Sequence, residues 1–320
     1  MSRIKNGVLE TIGSTPMVRL RRMSERFGVE ICAKVEMFNP GGSIKDRLGV
    51  ALIEAAEASG ELLPGGTVVE ATAGNTGIGL ALAAAVKGYR CVFVMPDKMS
   101  AGKAALLEAY GAEVVWAPTV NVSHPEHYIR VARRIAREKT GGWLANQFDN
   151  PVNVRAHYEG TGPEIWEDTG GALDAFVAGM GTTGTVTGAG RFLKEKKPSL
   201  RVVVADPMGS VFGGGPPGVY LVEGIGNDHD PGIYDASVVD EFIYVEDKDA
   251  FRAARRLTRE EGLFVGGSSG TALVAVEHIA ADMEPGQRIV VMLPDSGRNY
   301  LAKLYNDDWM RARGFLEEEG

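Results

Sequence analysis

Short β-branched runs alternate with amphipathic segments along most of this chain. Thr67–Ala71 (TVVEA), residues 90–95 (RCVFVM) and Glu113–Ala117 (EVVWA) read as buried strands, and residues 77–87 and 99–110 carry apolar positions at helical spacing. The second half repeats the scheme, with strands at residues 174–178, 201–205 and Arg288–Leu293. Helices are expected at residues 185–196, Asp247–Glu261 and residues 269–282. This alternation predicts an α/β fold of mainly parallel, twisted sheets flanked by helices on both faces. The polar, Pro-containing stretch 147–153 (QFDNPVN) is the best boundary between two lobes, with a smaller one of about 110 residues before it. Two opening strands, at residues 17–20 and 30–36, fit either sheet by pattern alone.

The bulk numbers narrow the class. At 320 residues the chain is long for one core and suits two lobes. A net charge of −8 with no basic run argues against nucleic acid. Glycine is in excess, at 42 residues, and much of it clusters after apolar runs, where backbone turns tightly or approaches a ligand. Cys32 and Cys91, the only cysteines, lie inside strand-like runs and are expected as buried free thiols. No apolar leader and no stretch near the ~20 apolar residues of a membrane span occurs, so a soluble, cytoplasmic protein is expected.

Four segments carry candidate chemistry. Residues 178–190 (AGMGTTGTVTGAG) follow a strand, precede a helix and contain a literal G-x-G-x-x-G at Gly179, Gly181 and Gly184, with Asp206 ending the next strand. That pattern admits an NAD-dependent dehydrogenase. The hydroxyls of Thr182, Thr183, Thr185 and Thr187 instead suit a terminal phosphate monoester, and a plain tight turn is the third account. Residues 72–79 (TAGNTGIG) occupy the same place on the first-lobe sheet, where loop amides can hold a carboxylate and Asn75 can donate a hydrogen bond. Residues 40–47 (PGGSIKDR) open a helix running to about Ser59, with Ser43 as N-cap and Lys45 in the first turn. A cation there is electrostatically misplaced, which lowers its pKa towards the neutral amine of a nucleophile. Residues 266–270 (GGSSG) begin another helix, which their serines suffice to cap. His124 and His127 have no evident third ligand, so no metal is expected.

In order and at similar spacing, these segments resemble the fold-type-II pyridoxal-phosphate enzymes of the cysteine synthase and cystathionine β-synthase family. The likeness runs from Ile12-Gly13-Ser14-Thr15-Pro16 to Trp309-Met310. It implies a tryptophan-synthase-β-like fold with a small lobe at 37–150 and a large lobe at 1–36 plus 151–320. Lys45 is then the lysine that carries pyridoxal 5′-phosphate, and Asn75 bonds its ring oxygen. Gly181, Thr182, Thr183, Gly184 and Thr185 cradle the phosphate, and Ser268 faces the ring nitrogen. Thr72, Ala73, Gly74 and Thr76 together with Gln147 hold the substrate carboxylate. Two positions depart from the family pattern: Thr183 stands where a glycine is usual, and Ala73 where a serine is usual.

The implied chemistry is replacement of the β-substituent of serine or O-acetylserine by a thiol or sulfide. Residues 294–300 (PDSGRNY), 307–310 (DDWM) and 222–226 (VEGIG) are more similar to cystathionine β-synthase, with Glu223 where cysteine synthases tend to carry glutamine. Residues 161–166 (TGPEIW) also occur in cysteine synthases, which keeps that activity as the alternative. The chain starts at the catalytic core and stops at Gly320, so neither haem nor a regulatory nucleotide is expected. A homodimer is the family expectation. A non-catalytic binding partner is disfavoured, because the lysine and both anion loops are intact.

Overall fold

The computed structural model describes residues 4–121 and 123–317; both ends of the expected large lobe and Val122 of the small one lie outside these. Ten strands are present among the described residues: β1 (Met17–Arg19), β2 (Glu30–Val35), β3 (Thr67–Ala71), β4 (Arg90–Pro96), β5 (Glu113–Ala117), β6 (Gly142–Leu144), β7 (Ala175–Gly179), β8 (Arg201–Pro207), β9 (Glu241–Val245) and β10 (Arg288–Leu293). The helices in the first half are α1 (Arg21–Phe27), α2 (Lys45–Ser59), α3 (Asn75–Lys87), α4 (Ala101–Ala109) and α5 (Tyr128–Glu138). Then come α6 (Val152–Ala156), α7 (Gly162–Asp168), α8 (Gly184–Lys196), α9 (Asp247–Glu261), α10 (Gly267–Ala280) and α11 (Asp307–Arg311). They form two compact units. One comprises the segment ending at Ile12 together with residues 39–156, and the other residues 13–38 and 157 onwards.

The first unit is built on a four-stranded, all-parallel sheet in the order β5-β4-β3-β6. Leu48, Leu52 and Ile53 of α2 pack with Leu80 and Ala83 of α3 and Phe93 of β4 on one face. Val131, Ala132 and Ala136 of α5 cover Val69, Val92 and Val94 on the other. Two glycines allow α2 and α3 to touch backbone to backbone. A Cβ on Gly49 would stand 2.2 Å from the Gly79 carbonyl carbon, and one on Gly79 only 2.4 Å from the Lys45 carbonyl oxygen. The first turn of α2 is thereby packed against the start of α3. The unit extends past the expected limit at 150, because Val152 of α6 and Leu9 of the N-terminal segment both pack on this core.

The second unit carries a six-stranded sheet, β1-β2-β10-β7-β8-β9, parallel except for the β1–β2 pair. Both opening strands join it, β2 lying beside β10 with Ile31 opposite Ile289. Its core combines Ile31, Val177, Val203, Val291, Phe251 and Val276. A lysine is embedded here: Lys34 of β2 donates to the Thr15 carbonyl at 2.7 Å and pairs with Glu164 and Asp168, each at 2.9 Å. Two carboxylates and a carbonyl compensate the removal of its charge from water. Cys32 and Cys91 are both buried and free.

Candidate active site

In the first unit the site begins at the entry to α2. The helix starts at Lys45, two residues beyond Ser43, whose hydroxyl accepts from the Lys45 N–H at 3.1 Å. The buried Asp46 carboxylate accepts from the Gly41 N–H at 2.6 Å and closes the preceding turn. The Lys45 side chain is only partly accessible. Desolvation lowers its pKa to about 8, which adds burial to the helix-end effect that the sequence suggests. About a tenth of the amine is therefore neutral at pH 7.

The β3–α3 loop holds the next residues. Thr72 accepts from the Gly74 N–H at 3.2 Å, and Asn75 is the first residue of α3. Gly74 has φ −125°, and a Cβ there would meet nothing within 4 Å. Neither backbone strain nor packing demands glycine, so what it spares is the approach of a ligand to the loop amides. Ala73 is half-buried against the core and brings no hydroxyl. Thr76 donates to Gln147 Oε1 at 2.5 Å, which joins the loop to the segment after β6. Thr72, Thr76 and Gln147 are all buried.

In the second unit the β7–α8 loop is the candidate anion cradle. Gly181 packs on the chain at Gly224, whose carbonyl oxygen would lie 2.5 Å from a Cβ, so only glycine fits. Thr183 is the N-cap of the 13-residue α8 and adopts φ 71°, ψ −17°, the left-handed region that disfavours branched residues. Its buried hydroxyl has no partner among the described residues. Thr182 is buried, and Gly184 and Thr185 open the helix. Helix amides, a positive dipole end and an unsatisfied hydroxyl together make a site for an anion. Thr185 Oγ1 lies 3.3 Å from His157 Nε2, and His157 Nδ1 lies 2.9 Å from Thr161 Oγ1. This fully buried histidine was not legible beforehand, since it lies in an irregular helical turn 20–30 residues before the loop it supports.

Ser268, also buried, stands in the first turn of α10. No side-chain hydrogen bond caps that helix, so capping does not account for its serines. Glu223 is brought next to the cradle by the Gly226 N–H, which bonds to the Met180 carbonyl at 2.8 Å, and it pairs with Lys303. Asp206, the residue a dinucleotide would need for its ribose, is fully buried at the end of β8, where desolvation pushes it up to about 7. Both its carboxylate oxygens are buried without a hydrogen-bond partner among the described residues. In the 294–300 segment the Tyr300 hydroxyl donates to the buried Asp295 at 2.7 Å.

A family model described as "Pyridoxal-phosphate dependent enzyme" matches residues 8–295. Cystathionine beta-synthase of Apis mellifera is 45% identical over 99% of this chain and 64% of its own length. That of Oryctolagus cuniculus is 47% identical over 98% of this chain and 58% of its own. The chain thus spans less than two thirds of these relatives. Among solved structures, an O-ureido-L-serine synthase superposes with a TM-score of 0.90 at 40% identity, covering 96% of this chain and 99% of the other. An O-acetylserine-dependent cystathionine beta-synthase from Helicobacter pylori gives 0.88 at 36% identity, covering 94% and 99%.

Proposed function

Because this chain belongs to the pyridoxal-phosphate-dependent enzyme family, we propose that it replaces the β-substituent of an O-activated serine by the thiol of homocysteine, forming cystathionine. The cofactor is pyridoxal 5′-phosphate. Two observations fit it: the partly accessible, desolvated Lys45 amine, and the orphaned Thr183 hydroxyl at the N-terminus of α8. Lys45 would carry it, Asn75 would bond its ring oxygen, Ser268 would face its ring nitrogen, and residues 181–185 would take its phosphate. When bound, the cofactor supplies an electron sink for the substrate's Cα–H bond, so that the β-substituent can leave.

The protein's own groups supply orientation and proton transfer. Amides of Thr72, Ala73, Gly74 and Thr76, with Gln147, hold the substrate carboxylate. The Lys45 amine, poised near 8, takes the α-proton and returns it after the nucleophile has added. Ser268 offers the ring nitrogen a neutral hydroxyl and no carboxylate, which favours loss of a β-group over amino-group exchange.

The observation that carries the reading is Lys45, whose burial gives a side chain at the correct motif position the pKa the chemistry needs. The donor is drawn from the likeness to an O-ureido-L-serine synthase and an O-acetylserine-dependent cystathionine beta-synthase, and from Ala73, which lacks a hydroxyl to assist departure of hydroxide. Glu223 is assigned to the homocysteine ammonium, which must share it with Lys303. The 161–166 segment supports a second reading, sulfide as nucleophile and cysteine as product. A homodimer and a cytoplasmic location belong to the same proposal. The two free thiols support the latter.

Steady-state rates for serine and O-acetylserine, each with sulfide and homocysteine, decide between the readings. O-acetylserine with homocysteine should be fastest. Glu223→Gln should impair homocysteine use more than sulfide use, by about tenfold or more for one hydrogen bond to a charged group. Equal loss with both nucleophiles, or turnover with sulfide alone, would move the assignment to cysteine synthesis. Borohydride should fix the chromophore on the Lys45 peptide.

A further inference from the structure

We propose that Glu70 is a positioning residue for the substrate carboxylate, acting by locking the side chain of Gln147; this rests on the reading of Gln147 given above. Glu70 lies in β3, a strand covered on both faces, and is 3% exposed. A carboxylate buried in the middle of a parallel sheet is costly, and an apolar residue would serve the sheet better. No charged side chain compensates it. Apart from the Ala71 N–H of its own strand, its surroundings converge on one place. The Asn146 N–H donates to Glu70 Oε2 at 2.7 Å, and the backbone and side-chain amides of Gln147 face the same carboxylate.

That place is a sharp turn. Asn146 has φ 52°, in the left-handed region that asparagine enters more readily than other non-glycine residues. Gln147 is held at every other point as well. Its Oε1 accepts from Thr76 at 2.5 Å and its carbonyl from Asn153 Nδ2 at 2.9 Å. The side-chain amide has two N–H donors. Glu70 engages one and fixes which end of the amide meets Thr76, which leaves the second donor set in direction for a carboxylate. Burial pushes Glu70 up to about 7 despite these donors, so the carboxylate form that the lock uses is gained as pH rises through that value.

The experiment compares Glu70→Gln, Gln147→Ala and the double variant in holoenzyme, with L-serine as the probe. Glu70→Gln keeps the shape but presents an NH₂ to one of the donors. Its Kd and KM for L-serine should rise about tenfold, with kcat within about threefold and cofactor affinity measured on the apoprotein unchanged. The double variant should bind L-serine no worse than Gln147→Ala, because Glu70 acts through Gln147. Glu70→Asp, which keeps the charge but retracts it, should recover part of the loss. In unmodified enzyme the Asn146 and Gln147 amides should be protected from hydrogen exchange as strongly as those of β3. Unchanged L-serine affinity in Glu70→Gln, multiplicative losses in the double variant, or unprotected amides at 146–147 would overturn the proposal. Unchanged affinity in Gln147→Ala would instead remove the carboxylate reading itself, and the proposal with it.

Discussion

Thr183→Gly should stabilise the cofactor-free protein and weaken cofactor binding at the same time. A non-glycine residue in the left-handed region costs about 1–2 kcal/mol, and Thr183 sits there at φ 71°. Its buried hydroxyl lacks a partner among the described residues, which adds ~1–3 kcal/mol of lost hydration. Against this, deleting the side chain forfeits about 0.8 kcal/mol for each buried carbon. The freer unfolded chain of glycine costs a further ~0.5–1 kcal/mol. The balance is a gain of about 1 kcal/mol in the apoprotein, or roughly 1–2 °C in melting midpoint for a chain of 320 residues. In the loaded protein the sign reverses, since a hydroxyl bonded to a charged phosphate contributes ~1.5–3 kcal/mol, so cofactor affinity should fall roughly 10- to 150-fold. Thr183→Ala separates the two effects: it keeps the Cβ, and hence the strain, but loses the hydroxyl. The assay is scanning calorimetry of apo and loaded protein at one scan rate, with cofactor affinity from equilibrium fluorescence. A lower apo midpoint for Thr183→Gly would refute the strain argument. Unchanged cofactor affinity in both variants would show that the hydroxyl does not serve the phosphate.

Lys45→Met should raise the apoprotein's melting midpoint at pH 7 by the equivalent of about 1–3 kcal/mol, since the native amine is lowered to about 8 by burial. The sign follows from linkage. Between the folded pKa and the ordinary lysine value the unfolded chain binds more protons, so wild-type stability rises with pH there, and the advantage of methionine should vanish by about pH 10.5. Thr185→Ala, read by cofactor retention on dialysis, should lose affinity by about tenfold or more. His157→Ala should reproduce part of that loss, because His157 holds the Thr185 hydroxyl. Ala73→Ser should raise the serine rate relative to O-acetylserine in kcat/KM. A wild-type enzyme that already prefers serine strongly would refute the argument from Ala73.

Periodicity was enough to place most of the elements. Thr67–Ala71, Glu113–Ala117, Arg288–Leu293 and Asp247–Glu261 lie where the apolar pattern puts them, because a strand or helix buried on its sheet must repeat at 2 or 3.6 residues whatever its neighbours. Short or half-exposed strands were not legible. Gly142–Leu144 has three residues, and Glu241–Val245 is an edge strand with most positions half-buried. The motifs around Lys45, Asn75, Gly181 and Ser268 were also readable one by one, since a glycine-rich turn between strand and helix has a local cause. Other decisions belonged to tertiary structure. Strand order places β10 beside β2, which is distant in sequence, and so draws the opening strands into the larger sheet. Burial, summed over atoms from the whole unit, sets Lys45 near 8 and pushes Asp206 up to about 7. The partners of the candidate side chains are distant too: Thr76 meets Gln147, Glu70 meets Asn146, Thr185 meets His157, and Glu223 meets Lys303. A local pattern records what a residue can do on its own backbone. Hydrogen bonding and desolvation depend on which distant segments the fold packs against it, and no spacing rule along one chain encodes that.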